Sequence, residues 1–283
     1  MQFTLRPLAS GVTIATYQAG DPTGQPVLFL HGNSLAASTF QHQFDAPELQ
    51  HLHLVALDWP GCGASPDAPA CYHPRQFQEV LCEAIGALGI QSALLVGHSY
   101  GGHLGLHALP AVPSLRGLLA VGTPPVNVPD DVAAAFALDE RGQSFYQAAV
   151  SNEQRADLVA LCLGPGASAE VQQVVDSALR RADGRLRAAI GSALAAGEIP
   201  DETAIARATR VPLAFAAGEA DPLLHFRYFE QVAAPARWGA PLHVVPGAGH
   251  TPFLENPAAF NALLLDFLAS VVGPRPAGVS IGR

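Results

Sequence analysis

The sequence predicts an α/β protein with a mostly parallel central sheet and helices on both faces. Three observations carry that prediction: short, continuous apolar runs recur along the chain, helix-period stretches separate several of them, and one run turns through a serine-centred, glycine-rich bend into a helix. Runs of this length are too short for buried helices and suit strands covered on both faces.

The elements follow in order. Gln2 to Leu8 and Val12 to Gln18 alternate in polarity around Ala9-Ser10-Gly11, which predicts a hairpin on a sheet edge. Strands are then expected at Val27–Leu30, Leu52–Leu57, Ala93–Val96, Leu118–Val121, Leu213–Ala217 and Leu242–Val245. Helical patterns run over Pro74–Leu88 after a candidate cap at His73, over Tyr100–Leu109 and over Pro257–Leu268. No strand-like run lies between Val121 and Leu213. Val171, Val174, Val175, Ala178 and Leu179, then Leu186, Ala189, Ile190 and Leu194, recur there at helical spacing, with Gly184 breaking the run. An inserted helical lid is therefore expected over 127–207, leaving 1–126 and 208–272 as the core and the Pro- and Gly-rich stretch 273–283 as a tail expected to fray.

Composition narrows the function classes. Of 283 residues, 49% are apolar and 14% charged, a balance that makes a folded core and not a disordered chain. All 15 basic residues are Arg, and against 24 acidic residues they leave a net charge of -9, so no nucleic-acid or general phosphate-binding surface is expected. Neither a secretory signal nor an apolar run of membrane-spanning length stands out, and a cytoplasmic protein without a membrane partner is the expectation. Cys62, Cys71, Cys82 and Cys162 form no CxxC pair and are read as free thiols. Nucleotide-binding glycine loops are missing, and no cofactor or metal is implied.

The chemistry centres on Gly97-His98-Ser99-Tyr100-Gly101-Gly102, a G-x-S-x-G pattern placed between a strand and a helix. A tight bend there exposes the serine hydroxyl, and glycines on either side remove Cβ atoms that would collide. A serine hydroxyl is protonated at neutral pH, so a nucleophilic Ser99 needs a base, and the base needs an acid to set its tautomer. His250 combines a late strand end with a glycine loop, Gly247-Ala248-Gly249-His250, and is the expected base. Asp221 in Gly218-Glu219-Ala220-Asp221-Pro222 follows another strand and is favoured over Glu219 as the acid, because a residue before proline is held extended. Two backbone N–H groups should hold the oxyanion: that of Tyr100 at the head of its helix, and that of Asn33 in His31-Gly32-Asn33-Ser34.

These residues, in this order, resemble the α/β-hydrolase fold superfamily, in its lid-bearing branch of carboxylesterases, lactonases and carbon–carbon bond hydrolases. The likeness runs over roughly residues 3 to 270 and includes Asp58-Trp59-Pro60-Gly61-Cys62-Gly63-Ala64-Ser65 and Gly249-His250-Thr251-Pro252-Phe253-Leu254-Glu255. It implies an α/β-hydrolase fold with Ser99 as nucleophile, Asp221 as acid, His250 as base and the amides of Asn33 and Tyr100 as oxyanion hole. His31, Gly32, Ser34, Trp59 and His98 are expected around a small-molecule substrate. Serine at the nucleophile position, where dehalogenases and epoxide hydrolases carry aspartate, points to acyl transfer on an ester or lactone. Carbon–carbon hydrolysis, perhydrolysis and slow-turnover ligand binding remain as alternatives.

Other polar residues read structurally. His103 and His107 have ligand spacing, but with no third ligand in the pattern they are expected in packing roles. His51 and His53 are read as surface residues, and the arginines from Arg180 to Arg187 as a solvated helix face.

Overall fold

A computed structural model describes residues 1–272, so the expected tail lies outside the described residues. Eight strands form one sheet: β1 (Gln2–Pro7), β2 (Thr13–Gly20), β3 (Pro26–Leu30), β4 (His53–Asp58), β5 (Leu94–His98), β6 (Gly117–Val121), β7 (Leu213–Gly218) and β8 (His243–Val245). Their spatial order is β1-β2-β4-β3-β5-β6-β7-β8. The hairpin β1–β2 forms one edge, and β2 runs antiparallel to β4, with Ala15 opposite Asp58. Every pairing from β4 across to β8 is parallel.

Alternation along the central strands feeds two cores. Leu28, Leu30, Val55, Leu57 and Leu95 point into one, and Val27, Phe29, Leu54, Leu94 and Val96 into the other. Helices α1 (Pro74–Leu88) and α2 (Tyr100–Ala108) cover the first face through Phe77, Leu81, Ile85 and Leu104. The His73 side chain accepts the Arg75 N–H at the start of α1, and Gly89 ends it at φ 68°.

Between β6 and β7 the chain is helical, in α3 (Asn152–Cys162), α4 (Ala169–Arg181), α5 (Gly184–Ala195) and α6 (Glu202–Ala208). Ser151, Ser168, Asp183 and Asp201 cap these helices by accepting first-turn N–H groups. Gly184 opens α5 at the break, because a Cβ there would overlap the Ala148 carbonyl oxygen. The buried positions of α4 are Val175, Ala178 and Leu179, and those of α5 include Leu186 and Ile190. After β8, α7 (Pro257–Val272) closes the second face with Phe260, Leu264 and Phe267.

Candidate active site

Ser99 sits between β5 and α2 at φ 50° and ψ −120°, a conformation that costs a non-glycine residue of order 1 to 3 kcal/mol. The surroundings impose it. Its N–H donates to the Val121 carbonyl at 2.8 Å, and its carbonyl accepts from Gly102 N at 2.8 Å, His103 N at 3.1 Å and Thr123 Oγ1 at 3.0 Å. A Cβ on Gly97 would lie 2.6 Å from Gly102 Cα, and one on Gly101 would strike the Leu30 and His31 carbonyls. Ser99 is partly exposed while His98 and Tyr100 beside it are buried.

The loop after β8 brings His250 to Asp221, which lies just beyond β7. His250 Nδ1–H donates to Asp221 Oδ2 at 2.7 Å, with both side chains buried, and Asp221 Oδ1 accepts the Leu223 N–H at 2.9 Å. An accepting carboxylate fixes the proton on Nδ1, so Nε2 is the basic nitrogen, and that atom is buried without a protein partner. The ring packs over Gly122, where a Cβ would lie 2.7 Å from Cε1, and Thr123 next door bonds the Ser99 carbonyl. Glu219, the competing acid, instead accepts the Gly247 N–H at 3.0 Å.

A second carboxylate holds the histidine loop. Glu255 Oε1 accepts from Gly249 N and Thr251 Oγ1, while Oε2 accepts from Gly164 N at 2.6 Å, tying that loop to the helical segment. Glu255 lies in the same Gly249–Glu255 motif as the base, yet its six-residue offset from Gly249 carries no chemistry legible in the chain.

The loop after β3 faces the serine. A Cβ on Gly32 would sit 2.9 Å from His98 Nδ1 and 3.2 Å from Ser99 Cβ, so only glycine permits that approach. Tyr100 opens α2, where first-turn N–H groups have no intrahelical acceptor. Asn33 donates its side-chain amide to the Phe145 carbonyl at 2.8 Å and accepts from Ser34 Oγ at 2.9 Å. Behind them His31, Trp59 and His98 are buried. Trp59 N–H donates to His31 Nε2 at 3.1 Å, Trp59 Nε1–H to the His31 carbonyl at 2.9 Å, and His98 Nε2–H to the His250 carbonyl at 2.9 Å. Trp59 is 1% exposed and buttresses this loop. Burial pushes the His31 pKa down, and burial with the neighbouring His250 pushes that of His98 well down, so both rings are neutral near neutral pH.

Sequence reasoning missed two partners. His103 and His107 both meet Glu202 of α6: Glu202 Oε1 accepts His107 Nε2–H at 2.7 Å, Oε2 accepts His103 Nδ1–H at 2.9 Å, and Oε2 also takes the Val126 N–H. Burial alone would raise this carboxyl, but the two imidazoles reverse the sign and hold it at about 2. The second is Arg187. It departs from the expected solvated face, being 4% exposed, and it donates to the Gln147 carbonyl at 2.9 Å, the Ala148 carbonyl at 3.2 Å and Ser34 Oγ at 3.3 Å. Arg180, Arg181 and Arg185 pair with Asp176, Asp67 and Asp183 on the surface, as a solvated face requires. His53, read as a surface residue, is half-buried and bonds the Gln18 side chain at 2.9 Å, while His51 is exposed. Among the described residues, no group of three or more His, Cys, Asp or Glu side chains is placed to hold a metal ion, and no helix is long and apolar enough to cross a membrane. All four cysteines are unpaired.

The structure thus brings to one end of the sheet a serine on a strained strand-to-helix bend and a histidine oriented by a carboxylate from the preceding strand end. The chain belongs to the alpha/beta hydrolase family, whose model matches residues 27–263. Among solved structures it is similar to the N-acyl homoserine lactonase AidH complexed with N-butanoyl homoserine, at 26% identity and TM-score 0.89, over 98% of this chain and 100% of that one. Among characterised sequences it is 29% identical over 267 residues to a 2-succinyl-6-hydroxy-2,4-cyclohexadiene-1-carboxylate synthase of Enterobacter sp. (strain 638), over 89% of this chain and 94% of the relative. It is also 31% identical to the dihydrolipoyllysine-residue acetyltransferase component of an acetoin cleaving system from Cupriavidus necator, of which it spans 62%, matching over 85% of its own length.

Proposed function

We propose that this hydrolase cleaves a carboxylic ester or lactone of a small to medium, largely apolar substrate through an acyl-enzyme on Ser99. One observation carries the reading: His250 has its Nδ1 committed to Asp221 at 2.7 Å, and its buried Nε2 has no protein partner beside the strained Ser99 bend. Ser99 Oγ attacks the carbonyl carbon as His250 Nε2 takes its proton, and Asp221 stabilises the imidazolium. The N–H groups of Asn33 and Tyr100 hold the oxyanion. His250 then protonates the departing alkoxide, and a water deprotonated by the same nitrogen releases the acid and regenerates Ser99.

A lactone is favoured because AidH, a named lactonase with bound acyl homoserine, is similar over nearly the whole chain. In this reading the segment 127–207 is the lid, bonded to the site through Phe145 and Arg187, and 1–126 with 208–272 is the core. His31, Gly32, Ser34, Trp59 and His98 shape the small-molecule pocket from behind, in a cytoplasmic enzyme with no nucleic-acid or membrane partner.

The test is turnover of a nitrophenyl ester series from acetate to dodecanoate together with acylamino lactones, in wild type and Ser99→Ala. A burst near one equivalent in wild type, absent from the variant, is expected. Equal hydrolysis by both proteins, or by neither, overturns the reading and directs attention to carbon–carbon bonds and to simple ligand binding.

A further inference from the structure

Six buried side-chain nitrogen and oxygen atoms among the described residues have no hydrogen-bond partner, and three of them, His98 Nδ1, Tyr100 Oη and His250 Nε2, belong to residues at or beside the Ser99 bend. Buried polar atoms are nearly always paired, so an orphan on a residue flanking the reactive serine marks a group open to a partner that binds there. His250 Nε2 has its role in the proposed chemistry. His98 spends its proton on the His250 carbonyl, which leaves Nδ1 as an acceptor. Tyr100 Oη is then the donor left over.

The fold does not account for that hydroxyl. Tyr100 is 9% exposed, and its ring meets Phe77 edge-on at 6.0 Å and 89°, while Phe77 stacks on Tyr72. Phenylalanine would fill the same volume and make the same ring contacts. A sealed, unpaired hydroxyl costs about 1 to 3 kcal/mol, which phenylalanine would avoid. Burial, with Cys62 nearby, holds the phenol well above its ordinary pKa, so it stays a donor at every working pH.

We infer that the Tyr100 hydroxyl is a specificity-determining donor for a second, uncharged acceptor oxygen of the substrate, an amide or keto carbonyl within a few bonds of the carbonyl that Ser99 attacks. The short reach follows from the assignment of the same residue's N–H to the oxyanion, and the inference rests on that reading of the site. A carbonyl suits this donor better than a carboxylate because the phenol is neutral and brings no charge of its own to the acceptor.

The experiment compares α-butanoylamino-γ-butyrolactone with α-pentyl-γ-butyrolactone, which has the same chain length but no amide, and with an α-(3-carboxypropyl) analogue. Wild type and Tyr100→Phe are assayed for kcat/KM, and Ser99→Ala and Ser99→Ala/Tyr100→Phe for affinity by calorimetry. Tyr100→Phe is expected to cut the preference for the acylamino lactone over the alkyl one by about tenfold, in KM and in calorimetric affinity. An unchanged preference, a wild-type preference for the carboxylate, or no binding of the acylamino lactone to Ser99→Ala overturns the inference. The calorimetric arm needs no turnover, so failure of the chemistry and failure of the recognition are read separately. Tyr100→Phe keeps the ring, and a thermal melt monitors folding.

Discussion

Two buried histidine–carboxylate groups lie close to the Ser99 bend, and they differ in what they leave unsatisfied. In one, Asp221 takes His250 Nδ1–H and a single backbone N–H, and the far nitrogen of the imidazole has no partner. In the other, Glu202 takes His103, His107 and the Val126 N–H, so the carboxylate is saturated and joins α2 to α6. The ingredients are the same. An oriented imidazole with one free nitrogen can move a proton, whereas a carboxylate shared between two imidazoles can only hold two elements together. Histidine count therefore says little about chemistry, and the unpaired atom says much.

The largest effect should come from Asp221→Asn. The substitution keeps the volume but favours the wrong imidazole tautomer, so kcat should fall about 10⁴-fold in steady-state assays while the circular dichroism spectrum is unchanged. A small loss would erase the contrast between the two groups.

Glu202→Gln should do the reverse, sparing kcat within a few-fold and lowering the unfolding free energy by about 3 kcal/mol in denaturant titrations. Its pH dependence sharpens the point. A carboxyl held at about 2 in the fold against an ordinary 4.5 contributes stability that is fully present above pH 4.5 and is lost as pH falls toward 2. Wild type should lose stability across that window more steeply than Glu202→Gln, and parallel pH curves would remove Glu202 from the account.

Arg187→Met should cost about 2 kcal/mol by stranding the Gln147 and Ala148 carbonyls, and by releasing Ser34 it should raise KM more than it lowers kcat. The smallest effect on activity belongs to Trp59→Phe, which deletes the indole bond to the His31 carbonyl and part of a buried ring packed on Phe77, and should cost about 2 kcal/mol in the same titration with KM and kcat little changed.

Much of this architecture is legible in the order of the residues. The parallel strands announce themselves because strands buried on both faces read as near-continuous apolar runs, as in β6 and β7. The Ser99 bend is legible because its backbone demands small residues at fixed offsets, and Asp221 and His250 because each follows a strand end. Arg187 is not legible, since three neighbouring arginines are indeed solvated and nothing in the spacing distinguishes the one that turns inward. Trp59 is expected around the substrate, and the bond from its indole to the His31 backbone is a further role that no local spacing announces.

By itself, the sequence determined the fold class, the order of its elements and the local geometry at Ser99, because apolar periodicity and glycine placement act over a few residues. Only the tertiary structure decided that β2 joins β4, that Glu202 closes on two histidines 99 and 95 residues away, and that Glu255 grips both the His250 loop and Gly164, 91 residues away. Hydrogen-bond partners so distant along the chain are selected by where the packed backbone brings them, and no local pattern encodes that meeting.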